Sequence, residues 1–378
     1  MKEIFCLSLL CLFAVYAQAE ESAPNLLAFS RDFLGVDLPE NVTSTRCQVR
    51  ENNAVIAKAY ENGRPFYEKY CSQSVIEDTV SPEEGRFFRL GDIRGYLVVR
   101  VLYAYSNSKC DLLPESLQYL FDYAEMTLLK SRTNSDIISY TSFVADILDL
   151  IYMYDLVRYL QEEDLDAVFN SLLRLVDRND DILIDLNNIL EIGRLRLEEE
   201  FLQLSESGRI WDRFRNWRYK RNDSLEKNRL FLADAINYVI EKVSVNTYYL
   251  EYVPYKTTAR KRWHEYPQSH LDVEVAELRL GPHYSRKNKV LVTLWACAIY
   301  RYMEYHGKLP ESLHKIVLSD LFEGAKDDAL NTNSVVTNLP LVYSVDRTCF
   351  TVKGGPEYRS QQGCQGKPVG ETFYFGCD

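Results

Sequence analysis

The chain has 378 residues, of which 46% are hydrophobic and 26% charged, and its net charge is −11 at pH 7. The hydrophobic fraction is ordinary for a folded protein, and the length suits two domains or one large helical domain. The acidic balance disfavours nonspecific binding to nucleic acid, so we expect no nucleic-acid partner.

Residues 1–19 have the pattern of a secretory signal peptide. An apolar run, Ile4–Val15, follows Lys2 and precedes Ala17-Gln18-Ala19, a small-residue cleavage site. The run is shorter than the ~20 residues of a membrane-spanning helix, although an uncleaved anchor is the alternative interpretation. We therefore expect cleavage after Ala19 and an exported product, periplasmic or extracellular, with no membrane span after the leader.

Seven of the nine cysteines follow the leader. They are Cys47, Cys71, Cys110, Cys297, Cys349, Cys364 and Cys377. Export permits disulfides, and an odd number leaves at least one free thiol or an intermolecular bond. We expect Cys297, in an apolar helical segment, to be free. The last three are predicted to form at least one disulfide, and the first two form a plausible second bridge, but the sequence does not fix the pairing.

Helix signals begin in the amino-terminal third of the chain. The spacing predicts a helix over residues 52–60 that ends at residues 62–65, which include Asn-Gly and a proline. Residues 81–84 read SPEE, a capping box with proline at the first helical position. A helix is expected from there to Tyr105, ended by Asn107-Ser108.

Apolar residues recur at helical spacing through the middle of the chain. This spacing predicts helices over residues 117–128, 137–160, 165–176, 182–204 and 225–243. The buried face of the last helix is expected to consist of Leu230, Ala233, Ile236, Val239 and Ile240. Helices joined by short polar segments predict a mainly α fold, a helical array or bundle, although no 34-residue repeat signature is present.

One helix joint has acidic residues spaced partly like a calcium-binding loop. Asp177, Asn179, Asp181 and Asp185 occupy the first, third, fifth and ninth positions of such a loop. Isoleucine stands where the loop needs glycine, and asparagine replaces the bidentate glutamate. We interpret the segment as a solvated joint with capping carboxylates, and we predict no metal site.

Two stretches combine basic and aromatic residues in an otherwise acidic chain. The first stretch, residues 211–221, reads WDRFRNWRYKR, and the second stretch, residues 255–266, reads YKTTARKRWHEY. Guanidinium groups bind phosphate or carboxylate, and aromatic faces stack on sugars. The predicted anion-binding residues are Arg215, Trp217, Arg218, Arg260, Arg262 and Trp263. The alternative is that the aromatic residues are core and the arginines pair with Glu198–Glu200.

No catalytic constellation is recognisable. The five histidines lack a metal-ligand spacing, and no phosphate-binding loop, dinucleotide fingerprint or nucleophile elbow occurs. Two S-x-x-K matches, Ser106–Lys109 and Ser312–Lys315, lack the further motifs of that enzyme class, so we attribute them to chance. We predict no catalytic residue and no cofactor.

The segment Asn288–Leu321 is predicted to form a long apolar helix, a stop and a second helix. Gly307 suits the stop, because a left-handed conformation costs glycine least. Pro310 is expected to open the second helix, with Leu313, Ile316 and Val317 as its buried face. The pentapeptide LPESL occurs here and at Leu113–Leu117, and we interpret it as a good helix start rather than as a repeat.

Short β-type runs follow at residues 341–345, 349–352 and 372–375 and predict a small antiparallel lobe. The predicted organisation is a signal peptide (1–19), a helical domain (20–254) and a carboxy-terminal part (255–378) with the helix–turn–helix and the lobe.

The order of helix, Tyr300-Arg301-Tyr302, short spacer and HGKLPESL resembles the end of a family of uncharacterised bacterial exported proteins. It is similar to the globular region of type II secretion pseudopilins, in which a helix and a proline-led turn precede a small β region. The calcium loop of pseudopilins has no clean counterpart in residues 348–363.

Two function classes follow from these features. The first is a noncatalytic exported protein that binds an envelope protein or an anionic glycan, or has a structural role there. The alternative is a hydrolase with a site assembled from distant residues.

Overall fold

The structure is a computed structural model. It describes residues 46–71, 90–109, 111–130, 134–177, 180–206, 224–244, 255, 270–323, 325–327, 330–336, 338–346, 349–353 and 372–375. Most of these residues are helical, and a small antiparallel sheet lies near the carboxy terminus. The predicted fold class, mainly α with a small β lobe, is confirmed.

The chain forms two compact units. The first comprises residues up to Ala124 together with Asp146–Val168, and the second comprises Glu125–Ala145 together with residues from Phe169 onward. The domain boundary predicted after residue 254 falls inside the second unit and stays a prediction.

The amino-terminal half of the described chain contains six helices. They are α1 (Arg46–Glu51), α2 (Asn53–Cys71), α3 (Leu90–Ser106), α4 (Leu112–Lys130), α5 (Asn134–Tyr154) and α6 (Glu162–Asp177). Helices α2 and α3 pack together. Their contact includes three tyrosine rings. The Tyr60 ring of α2 stacks on Tyr103 of α3 with a centroid distance of 4.2 Å, and on Tyr96 of α3 with a centroid distance of 6.0 Å. Helix α3 ends before Asn107-Ser108 as predicted.

Two predicted boundaries in this half are wrong. Helix α2 does not stop at residues 62–65 but continues through Pro65 to Cys71. Ile56, Ala59 and Gly63 are buried on α2, so packing outweighs the missing backbone N–H of one proline. The predicted capping box at residues 81–84 lies outside the described residues.

The second wrong boundary is in the helix predicted over residues 137–160. Helix α5 ends at Tyr154 because Asp155 adopts a left-handed conformation, with φ 51° and ψ 47°. A short 3-10 turn, Leu156–Tyr159, follows. Aspartate enters this region more readily than most residues, so a tight turn is possible here without glycine.

The second unit is built on three helices, α7 (Asp180–Glu206), α8 (Ser224–Ser244) and α9 (His270–His306), which all contact one another. Their apolar side chains form one core. Its members are Ile182, Leu186, Ile189, Leu197, Phe231, Leu232, Ala235, Ile236, Val239, Val243, Val273, Ala276, Leu280, Tyr284 and Val336. The buried face of α8 is rotated from the predicted one, since Leu230 is exposed and Phe231 and Leu232 are buried.

Helix α9 is longer than the sequence predicts. It begins at His270, not near Asn288, and runs through Gly281-Pro282 to His306. The turns on either side of the proline are buried in the core, which holds the helix together there. The predicted stop is confirmed: Gly307 has φ +66° and its N–H donates to the carbonyl of Met303 at 2.8 Å.

The two LPESL pentapeptides adopt different structures. Leu113–Leu117 lies in the first turns of α4, where Arg100 donates to Glu115 at 2.6 Å. Leu309–Leu313 precedes only a 3-10 turn (Leu313–Lys315) and the four-residue α10 (Leu318–Leu321), so the predicted second helix is wrong. No helix begins after Pro310 because Ser312 is extended, with φ −159° and ψ 161°. The Pro310 carbonyl accepts a hydrogen bond from the Tyr343 hydroxyl at 3.1 Å.

The β lobe is confirmed closely. Strands β1 (Val342–Asp346), β2 (Cys349–Lys353) and β3 (Thr372–Phe375) form an antiparallel sheet in the order β1-β2-β3. Phe350 of β2 attaches the sheet to α9, with its ring 5.2 Å from Tyr300, and it stacks on Phe375 at 5.1 Å.

The described cysteines include two free thiols. Cys297 is free as predicted, and burial raises its pKa well above the ordinary value. Cys349 on β2 is also free, so the predicted disulfide at Cys349 is not present in the structure. Cys110, Cys364 and Cys377 lie outside the described residues, and nothing is described of the Cys47 and Cys71 side chains.

Close approach of α7, α8 and α9 depends on a glycine. A Cβ atom on Gly193 of α7 would lie 2.7 Å from Leu232 Cδ2 and 3.1 Å from Asp272 Oδ2. The same Asp272 carboxylate accepts a hydrogen bond from Arg196 at 2.5 Å. Gly193 therefore lies where all three helices meet.

We expect Gly193→Ala to lower the free energy of unfolding by about 1 kcal/mol, measured by denaturant titration. Overpacking costs about 1–3 kcal/mol, and the better helix propensity of alanine offsets up to about 1 kcal/mol of that. Leu232→Ala should cost about 2–5 kcal/mol alone and less in the Gly193→Ala background, because the truncation removes the clash. A more stable Gly193→Ala protein, or strict additivity, would contradict this account.

Candidate functional site

The amino-terminal half of α9 carries cationic and ionisable side chains toward the interior of the second unit. Arg279, His283, Arg286 and Lys287 recur three and four residues apart, so they share one side of the helix. His283 is 2% exposed and Lys287 is 8% exposed. Burying such groups costs free energy unless polar partners compensate, so this face is the strongest candidate for a functional site.

These side chains border a small cleft. Tyr140 and Val144 of α5, Leu175 of α6, and His283, Arg286, Lys287 and Val290 of α9 line it. Its free volume is about 10 Å³, roughly what one water molecule requires. The cleft is therefore too small for a metabolite.

The contacts of His283 fix its protonation pattern. Arg286 Nη2 lies 3.3 Å from His283 Nδ1. An arginine N–H can only donate, so Nδ1 accepts and a neutral imidazole carries its proton on Nε2. The neighbouring Tyr284 ring meets the imidazole edge-on at 5.3 Å, and burial raises the pKa of Tyr284 to about 12, so its phenol is neutral at pH 7.

Asp185 compensates one cation of this helix face. Its Oδ2 atom lies 3.5 Å from Arg279 Nε, and the Asp185 side chain is 5% exposed. The sequence-based interpretation of this residue as part of a solvated joint is therefore wrong, because Asp185 faces α9 within the protein. Among the described residues, no three metal-ligating side chains lie close enough together to hold a metal ion.

The chemistry available in the cleft is donation of N–H and O–H groups and positive charge. Among its described lining residues there is no serine, threonine, cysteine or carboxylate to act as a nucleophile or general base. The cleft thus does not supply the nucleophile–base pair that the hydrolase alternative needs.

The S-x-x-K match in the first unit has no catalytic geometry. The Ser106 hydroxyl lies 2.9 Å from Asn53 Oδ1 and bonds to it, whereas Lys109 Nζ donates to the Tyr103 hydroxyl at 2.7 Å. The bond to Tyr103 raises the pKa of Lys109, and a lysine base needs a lowered pKa. These contacts support attributing the match to chance.

The predicted anion-binding residues are not among those that the structure describes. Arg215, Trp217 and Arg218 of the first stretch, and Arg260, Arg262 and Trp263 of the second stretch, lie outside the described residues. Glu198, an alternative partner for these arginines, forms an ion pair with Arg229 of α8.

One residue of the second stretch is described. The backbone N–H of Tyr255 donates to Glu277 Oε1 of α9 at 2.6 Å. The Tyr255 ring lies 5.6 Å from Phe231 and 5.5 Å from Tyr238, both on α8. The start of the second stretch is thus anchored against α8 and α9.

Comparisons with protein-family models, curated proteins and solved structures found no match. The resemblance to pseudopilins therefore stays a prediction. Within the described part of the chain, no helix is long and apolar enough to cross a membrane.

We expect Arg279→Met to lower the free energy of unfolding by about 2 kcal/mol, measured by denaturant titration. The substitution removes a cation from the buried Asp185 carboxylate, and removing one partner is the costly way to break a buried ion pair. Arg194→Met is the matched control, because Arg194 is 53% exposed and its partner Glu191 is 63% exposed. That control should change stability by less than about 0.5 kcal/mol, and equal effects of the two variants would refute the role of Asp185.

Proposed function

We propose that this chain is an exported, noncatalytic protein that binds an anionic polymer of the bacterial cell envelope through its two basic-aromatic stretches. The observation that carries the proposal is the anchoring of Tyr255 on α8 beside Phe231 and Tyr238. This contact matters because a long helix separates the two stretches in the sequence, and both stretches have to reach the same polymer.

The length of α8 determines how far apart the two stretches can lie. The first stretch ends at Arg221, and α8 begins three residues later at Ser224. Helix α8 ends at Ser244, and a straight helix of this length would separate its two ends by about 30 Å. The second stretch can reach the first only if the chain after Ser244 returns along the helix.

Tyr255 supports such a return. Phe231 lies seven residues into α8, about 10 Å from its start, by the rise of 1.5 Å per residue. Tyr255 also contacts Tyr238, which lies fourteen residues into α8, so Tyr255 lies beside the middle of the helix, about half of the way back toward the end that follows the first stretch. The ten residues 245–254 can span up to about 35 Å, more than this return needs.

The arginine and tryptophan side chains of the two stretches determine which class of polymer they suit. Arg215, Arg218, Arg260 and Arg262 offer forked N–H donors for carboxylate, sulfate or phosphate groups. Trp217 and Trp263 offer faces for sugar rings. An anionic glycan presents both kinds of group in a repeating polymer, so it suits this combination better than a neutral glycan does.

The leader supports export. A basic residue, an apolar run and Ala17-Gln18-Ala19 form the pattern on which the proposal of a periplasmic or extracellular protein rests. With Cys349 free, the disulfide proposed for the carboxy-terminal lobe would join Cys364 and Cys377.

The polymer proposal predicts salt-sensitive binding. The full chain should bind immobilised dextran sulfate or polygalacturonate but not neutral dextran, measured by biolayer interferometry. Binding should weaken as salt rises, because exposed charges are screened beyond ~8 Å at physiological ionic strength. Replacing Arg215, Arg218, Arg260 and Arg262 together by Gln should weaken binding at least about tenfold, a loss of ~1.4 kcal/mol.

Two variants make the test specific. Replacing four exposed cations elsewhere (Arg174, Arg194, Lys227 and Lys308) by Gln makes the same charge change and should leave most of the affinity intact. Tyr255→Ala keeps every charge but removes the anchor, and it should weaken binding while circular dichroism shows an unchanged helix content. Equal losses of affinity in the two quadruple variants would show that binding depends on net charge alone, and would contradict a specific site in the two stretches.

Export predicts a defined mature amino terminus. Intact-mass analysis of the protein purified from its native host should give a chain that begins at Glu20. A chain that retains Met1 would defeat both the cleavage site and the exported location.

A further inference from the structure

No further inference is drawn: the strongest candidate, the surface of the carboxy-terminal lobe along the edge strand β1, where Val342 and Val345 are exposed, is an apolar patch, and nothing in the structure shows what covers it.

Discussion

The burial of α9 against α7 and α8 is the constraint on which the rest of the second unit depends. The three helices share one apolar core, and each fully buried aliphatic or aromatic side chain contributes about 1.5–3 kcal/mol. Because α9 is fixed along its length, its carboxy-terminal half can serve as the support for other elements. The Trp295 indole donates to the Asn331 carbonyl at 3.0 Å, and Arg301 Nε donates to the Leu321 carbonyl at 3.2 Å.

The same helix explains why cations are found inside an acidic protein. Between Arg279 and Arg301 every described position of α9 is buried or half-buried, so charged residues there need compensation within the fold. Asp185 provides it for Arg279, and Asp272 accepts from Arg196 where the three helices meet. Further along α9, the buried Asn288 side chain bonds to Ser334 at 2.9 Å, which ties the segment after α10 to the helix.

Sequence periodicity predicted most of the described helices and strands, but predictions made from the positions of prolines were wrong. Helix α2 and helix α9 pass through Pro65 and Gly281-Pro282, because buried turns on both sides hold the chain. After Pro310 the opposite occurs, since Ser312 is extended and the Pro310 carbonyl accepts a hydrogen bond from the Tyr343 hydroxyl. Local propensity does not include such tertiary contacts.

The candidate cleft could not be predicted for a related reason. Its lining comes from residues far apart in sequence, and no motif joins Tyr140 to Lys287. One signal was present: His283, Arg286 and Lys287 precede the apolar segment from Val290 at helical spacing, which places cations on a buried face. Recognising it required knowing that α9 begins at His270, and the proline at position 282 concealed that.

The distribution of charge decides how an acidic chain can attract an anion. With a net charge of −11, the long-range field of the whole chain repels anions when little salt is present. At physiological ionic strength, exposed charges more than ~8 Å apart are largely screened, so local clusters determine the interaction. A group of cations therefore has to be closely spaced to attract an anion. The two stretches meet this condition, because they concentrate arginines and lysines within residues 211–221 and 255–266. The contact of Tyr255 with α8 matters because it decides how far apart the two stretches lie, and hence how long a segment of one polymer must be to reach both.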